Sequence, residues 1–194
     1  MGHLELELKG VVPAPDRVRA SLRAAGARLT FRGMLSDRRY DRDGAFTARD
    51  EVVRLRAYRN DAGEARAQLG WKGPTRRSPE GYKAREEREI DLAQGDGDAF
   101  LRALGFDAVH AIDRYVEVYE LGEAHARLEW YPRMDVLMEV EGTPAAIEGI
   151  LATSGLPRDT FTSEALTAFT ARYDARHPDR PSLVSQDGWQ GPSR

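Results

Sequence analysis

The 194-residue chain contains no cysteine. This removes disulfides, zinc–thiolate centres and thiol nucleophiles, and it accords with a reducing cytosol. Its four histidines, His3, His110, His125 and His177, are scattered without ligand spacing, which argues against a histidine metal site. No apolar run approaches the length of a membrane span, and no secretory leader precedes the first predicted strand. Also missing are a glycine-rich phosphate loop, a dinucleotide fingerprint and a serine-nucleophile motif. The net charge of −3 argues against a general nucleic-acid surface, so any basic site must be local. The expectation is a cytoplasmic monomer or homodimer with neither membrane nor nucleic acid as partner.

What the chain has is charge arranged in alternation. Charged residues make up 31% and hydrophobic residues 41%. The first strand, Leu4 to Lys9, sets the pattern: Leu4, Leu6 and Leu8 share one face, and Glu5, Glu7 and Lys9 share the other, because successive side chains of a strand point to opposite sides. Later segments repeat it. Val53, Leu55 and Ala57 oppose Arg54, Arg56 and Tyr58. Leu69 and Trp71 oppose Gln68 and Lys72. Leu128 and Trp130 oppose Arg127 and Glu129, and Met138 and Val140 oppose Glu139 and Glu141. Lys83, Arg85, Glu87 and Glu89 share one face of a further strand, and Arg114 lies in an extended run from Val109 to Tyr119. Ala27–Phe31 and Asp37–Asp41 read as two further extended pieces.

Helices fall between these strands. Asp16 is a capping residue for a helix ending near Gly26, with Val18, Leu22 and Ala25 as its stripe. Asp98 to Leu104 is a short helix. Thr143-Pro144 starts a third, with Ile147, Ile150 and Leu151 inward and Gly155 at its end. Ser163 to Tyr173 is the last. Gly73 to Gly81 reads as a mobile connection and a candidate lid. Residues 3–175 form one domain, and residues 176–194, with no periodic apolar face, are expected to be a disordered tail. The fold class is α+β: an antiparallel β-barrel, closed or nearly closed, with helices packed outside.

The charged faces then point either at water or at one another inside the barrel. Their composition favours the inside, since they are almost entirely acid and base, and arginine outnumbers lysine. Arginine suits bidentate binding of phosphate oxygens. The carboxylates gather as Glu-x-Glu pairs in the first and last strands, and oxygen-only clusters suit Mg²⁺ or Mn²⁺. Bases on one side and metal-binding acids on the other are what a polyphosphate requires.

Glu5-x-Glu7-x-Lys9 is followed in order by Asp37-x-x-Tyr40-Asp41, Arg54-x-Arg56, Trp71-Lys72-Gly73-Pro74, Lys83-x-Arg85-x-Glu87-x-Glu89, Arg114 and Glu139-x-Glu141. This ordered set, over about residues 3 to 173, resembles the CYTH superfamily of class IV adenylyl cyclases, thiamine triphosphatases and inorganic or RNA triphosphatases. The resemblance implies a tunnel-like barrel for a triphosphate and a divalent metal. It assigns phosphate contacts to Lys9, Arg54, Arg56, Lys72, Lys83, Arg85 and Arg114, with Lys9, Lys72 and Arg114 catalytic. It assigns metal binding to Glu5, Glu7, Glu129, Glu139 and Glu141. Glu87 and Glu89 would line the tunnel and orient the bases. Four departures accompany it: Glu129 stands where aspartate is usual, Tyr131–Asp135 replaces a glycine-rich turn, Ile112 replaces a basic residue, which would thin the phosphate cage, and the longer His-Phe prefix typical of class IV cyclases is absent.

The implied function is a metal-dependent enzyme acting on a triphosphate, class IV adenylyl cyclase-like, converting ATP to cyclic AMP and pyrophosphate. Hydrolysis of an inorganic, nucleoside or thiamine triphosphate is the alternative, and a non-catalytic polyphosphate-binding module is a second one.

Overall fold

The computed structural model describes residues 3–92 and 96–192, with side chains from Leu6 onward. The side chains of Leu4 and Glu5, and the turn residue Gly95, lie outside the described residues. The chain begins with β1 (His3–Val11), α1 (Pro15–Ala24), β2 (Arg28–Asp41), α2 (Ala45–Ala48), β3 (Val52–Asn60) and β4 (Ala65–Lys72). It continues with β5 (Arg76–Arg77), β6 (Lys83–Leu92), α3 (Gly97–Ala103), β7 (Asp107–Leu121) and β8 (Ala124–Trp130). It ends with β9 (Leu137–Glu141), α4 (Pro144–Ser154), β10 (Phe161–Thr162) and α5 (Leu166–Arg176).

The strands run in the order β1-β9-β8-β7-β2-β3-β4-β6, and β6 pairs back onto β1, so the antiparallel sheet closes into a barrel of eight strands. The short β10 and β5 add to β1 and β6. Register places Glu7 opposite Glu141 and Lys83, Lys9 opposite Glu139, and Arg127 opposite Glu139, so the charged rows of neighbouring strands share the inner face. On the side of β1, β9 and β8 the outer face is apolar. Leu8, Leu128, Met138 and Val140 pack there against Val18 and Leu22 of α1 and Ile147, Ile150 and Leu151 of α4. Burying that outer layer is what frees the interior from being a hydrophobic core. At one end of the barrel the inside turns apolar: Ile112, Tyr131 and Leu137 pack with Phe169 and, more loosely, Leu166 of α5. Ile112 is therefore used for closing that end.

Local boundaries follow from capping chemistry. Thr143 Oγ1 accepts the Ala146 N–H at 3.4 Å, and α4 ends on left-handed Gly155. Asp96 accepts the Ala99 N–H at 3.0 Å to start α3. Asp16 does not cap α1. Pro15 opens that helix, and Asp16 sits in its first turn, where a carboxylate suits the helix dipole. The Asp43-Gly44 turn leads into the unforeseen α2, which is anchored by the Asp41 carboxylate accepting the N–H groups of Phe46 and Thr47.

Two larger expectations are corrected. The pieces Ala27–Phe31 and Asp37–Asp41 are one continuous strand, β2, bridged through Gly33. Residues 176–194, expected to be a disordered tail, run back along the barrel as far as they are described. Leu183 pairs with Arg133, Val184 O accepts the Asp113 N–H at 2.8 Å, and the Ser185 hydroxyl donates to the Asp113 carboxylate. The segment is held by backbone and polar groups, so an apolar period does not reveal it. Of the connection from Gly73 to Gly81, Arg76–Arg77 forms β5, and Ser78 accepts and donates across a turn to Tyr82.

Gly33 has φ +154, and a Cβ there would stand 2.2 Å from Arg59 O and 2.6 Å from Asn60 Cα. Gly33→Ala is expected to lower the unfolding free energy by about 1–3 kcal/mol, read by urea titration at neutral pH. Wild-type stability in this variant would show that the β2–β3 approach is not tight.

Candidate functional site

The interior is built around two buried carboxylates. Asp37, on β2, accepts Arg56 Nε at 2.7 Å and Nη2 at 2.9 Å, a two-pronged contact, and also accepts Arg114 Nη2. Glu129, on β8, has no exposed side-chain surface and accepts Arg114 Nη1 at 2.8 Å, Arg127 Nε at 2.9 Å, Lys9 Nζ at 3.3 Å and the Tyr131 hydroxyl at 2.7 Å. Arg114 thus bridges the two acids. The rest of the interior is paired in the same way. Glu139 meets Lys9 Nζ at 2.5 Å and also Arg127. Arg54 Nη2 donates to Glu89 at 2.6 Å, Lys72 pairs with Glu87, and Lys83 pairs with Glu7. Arg85 donates to the carbonyls of Gly73 at 2.6 Å and Asp50 at 2.5 Å.

These side chains surround a cavity of about 210 Å³. Its wall carries nine basic residues against five acidic ones. Behind the wall, Glu87, Glu89 and Glu129 bring the balance close to neutral. A second cavity of about 590 Å³, with Phe31, Leu35 and Tyr58 on its wall, shares Arg127 and Glu139 with the first. The buried Nε atoms of Arg54 and Arg114 have no acceptor among the described residues. Buried donors are seldom left so.

Of the acids expected at a metal, Glu7, Glu139 and Glu141 come together, with one oxygen of each within 4.8 Å of the others. Glu129 stands outside this group. Its carboxylate is taken up by four donors, so it serves as a counter-ion beneath the cavity floor. Glu5 pairs through its backbone with Arg85, and its side chain lies outside the described residues. The expected bases Lys9, Arg54, Arg56, Lys72, Lys83, Arg85 and Arg114 all reach the cavity wall. Glu87 and Glu89 hold Lys72 and Arg54 in place. Sequence reasoning put Arg127 on the charged face and Asp37 in the ordered motif set without giving either a role, and it did not single out Arg39; all three line this wall. Their signal was parity: Asp37 and Arg39 alternate on β2, and Arg127 shares its face with Glu129.

The electrostatics follow from this pairing. Burial pushes the Glu7 carboxyl up, but Lys83, Lys9 and Lys72 outweigh it and hold it at about 2. Burial likewise opposes ionisation of Asp37, yet Arg56, Arg114 and Arg54 keep it well below the carboxylate range. Glu129 is lowered in the same manner by Lys9, Arg114 and Arg127. Burial and the neighbouring Glu129 raise the Tyr131 hydroxyl to about 12.

Each of these carboxylates binds protons more weakly folded than unfolded. Their stabilisation is complete above the ordinary carboxylate range and is lost as pH falls through it. The shift of Glu7 from 4.5 to about 2 alone corresponds to about 3 kcal/mol. Unfolding free energy from urea titrations is expected to fall steeply from pH 5 to pH 3. A flat profile over that interval would contradict the pairing.

No family model matches the chain, and no curated protein matches it. Solved structures do. The PH1819 protein of Pyrococcus horikoshii is 25% identical, with a TM-score of 0.68 over 84% of this chain and 96% of its own. A Vibrio parahaemolyticus protein with a provisional adenylate cyclase name is 16% identical, with a TM-score of 0.70 over 88% of this chain and 99% of its own. HpAC1 of Hippeastrum, provisionally an adenylyl cyclase and described as having a dominant triphosphatase activity, is 16% identical, with a TM-score of 0.59 over 89% of this chain and 96% of its own. The chain is thus similar in fold to structures that bear cyclase and triphosphatase descriptions.

Proposed function

We propose that this chain is a CYTH-type, divalent-metal-dependent enzyme acting on a triphosphate bound inside the barrel. The observation that carries the reading is a closed interior lined by nine basic residues beside an oxygen-only acidic group. A barrel of eight strands is filled by side chains or holds one small ligand, and a wall of nine bases and five acids favours an anionic occupant. The two orphaned arginine Nε atoms support an anion as that occupant.

Glu7, Glu139 and Glu141 would hold the metal, and three carboxylate oxygens suit Mg²⁺ or Mn²⁺. When bound, such an ion offsets phosphate charge and makes the reacting phosphorus more electrophilic. The chain's own bases do the positioning. Lys9, Lys83 and Arg127 are now paired with those same carboxylates. Were a cation held by those carboxylates, these bases would be available to phosphate oxygens. Arg56 and Arg114 stay fixed by Asp37 and present preorganised positive charge to the equatorial oxygens. Lys72 and Arg54 are aimed by Glu87 and Glu89, and Lys9, Lys72 and Arg114 take the catalytic contacts.

Two reactions suit this cage. In cyclisation the ribose 3′-oxygen bonds to the α-phosphorus, and pyrophosphate leaves. In hydrolysis a water oxygen bonds to the γ-phosphorus, and the β–γ bridging oxygen departs with the diphosphate. The sequence motifs favour the first. The triphosphatase description of HpAC1 favours the second.

Incubation with ATP, tripolyphosphate and thiamine triphosphate, with Mg²⁺ or Mn²⁺, should yield metal-dependent turnover of at least one. Chromatography distinguishes cyclic AMP and pyrophosphate from orthophosphate. Arg114→Ala and Glu139→Gln are expected to lose activity by about a hundredfold or more, and Mg²⁺ is expected to tighten tripolyphosphate binding. Tight tripolyphosphate binding without any turnover would favour a non-catalytic polyphosphate module.

A further inference from the structure

We infer that Arg39 is a substrate-contacting residue, whose guanidinium binds anionic oxygens of the polyphosphate at the wall formed by β2 and β7. This inference rests on the triphosphate reading above and names a cation outside the motif set.

Arg39 follows Asp37 by two positions on β2, so both point into the barrel, and Arg39 lines the 210 Å³ cavity. The other eight basic residues on that wall each have an acidic or carbonyl partner. Arg39 has neither hydrogen bond nor ion pair among the described residues. Its surroundings explain why. Across β7 it faces His110, and the diagonal position on the same face is Ile112, which packs with Phe169 and Leu137. The β7 side therefore offers no carboxylate, and Asp37 on its own strand is taken up by Arg56 and Arg114.

The β2–β7 ladder is also irregular at this point. A register shift falls between Arg39 and Tyr40, leaving Val109 of β7 without a partner on β2. Bulges of this kind re-aim side chains next to functional sites. Here Tyr40 donates its hydroxyl to Asp98 at 2.6 Å, while Arg39 keeps to the cavity. Burial lowers the proton affinity of Arg39. Asp37 counteracts this, but the like charges of Arg54, Arg114 and Arg85 add to it. A half-buried guanidinium crowded by other guanidinium groups costs stability. Its natural complement is an anion that arrives from solution, and arginine's planar fork fits phosphate oxygens two at a time.

This role separates binding from folding. Removing Arg39 breaks no hydrogen bond or ion pair among the described residues and relieves repulsion from Arg54, Arg114 and Arg85 at the loss of its attraction to Asp37, but it removes one contact to the ligand. The test is calorimetric titration of the full chain with tripolyphosphate, in metal-free buffer and again with Mg²⁺, for wild type, Arg39→Leu and Arg39→Lys, alongside thermal unfolding. Arg39→Leu is expected to weaken binding about tenfold or more, and Arg39→Lys to lose less. The thermal midpoint of Arg39→Leu should be no lower than wild type. Equal affinity of Arg39→Leu and wild type overturns the inference. So does an affinity loss that tracks a lowered midpoint, which would mark a structural role. Wild-type binding that is weakened in Arg39→Leu but comes without turnover of any triphosphate overturns the enzymatic reading and keeps this one. Absence of wild-type binding in both buffers overturns both.

Discussion

The structure depends on charge balance inside a closed barrel. Taking a guanidinium or a carboxylate out of water is expensive, and the cost is met only when geometry and additional hydrogen bonds are good. Asp37 and Glu129 meet that demand for Arg56, Arg114, Arg127 and Lys9, with Arg114 spanning both acids. The paired network rigidifies the interior, and the outer leucine and methionine layer under α1 and α4 supplies the hydrophobic stabilisation that an ordinary core would give.

This division of labour has a chemical consequence. Because the core lies outside the sheet, the inside can hold many ionised groups in fixed positions. Such preorganised charge acts more strongly on a bound polyanion than the same groups on a surface. The carboxylates serve two ends. Asp37 and Glu129 are fully engaged with bases and fix the frame. Glu7, Glu139 and Glu141 converge on one another, one oxygen of each within 4.8 Å of the others, and pair with Lys83, Lys9 and Arg127. The same residue type takes a different role according to how many donors surround it.

Much of this was legible in the chain. Alternation in Leu4–Lys9, Val53–Tyr58 and Leu137–Glu141 gave the strands, because the side-chain period of a strand is two. The one-sided charge of those strands gave the choice between an open and a closed sheet. The expected bases reach one cavity because they share parity and the sheet closes. Other features were not legible. Glu129 sits on the right face, but its four donors come from four other positions, brought together only by folding. Ile112 looked like a gap in a cage, yet Phe169 packs on it from α5, far along the chain. The segment after α5 is held by Asp113 and Arg133 through backbone groups, which leave no periodic trace.

The sequence by itself determined the strands, their inner and outer faces, and the helices at Val18, Ile147 and Phe169. These depend on local periodicity and residue chemistry, which the order of residues carries directly. Only the tertiary structure decided which charge pairs with which. Pairing depends on register and closure, and a two-residue slip leaves the faces the same while exchanging every partner. That is why the freely placed Arg39 and the saturated Glu129, both charged and both inward, became distinguishable only once the barrel was closed.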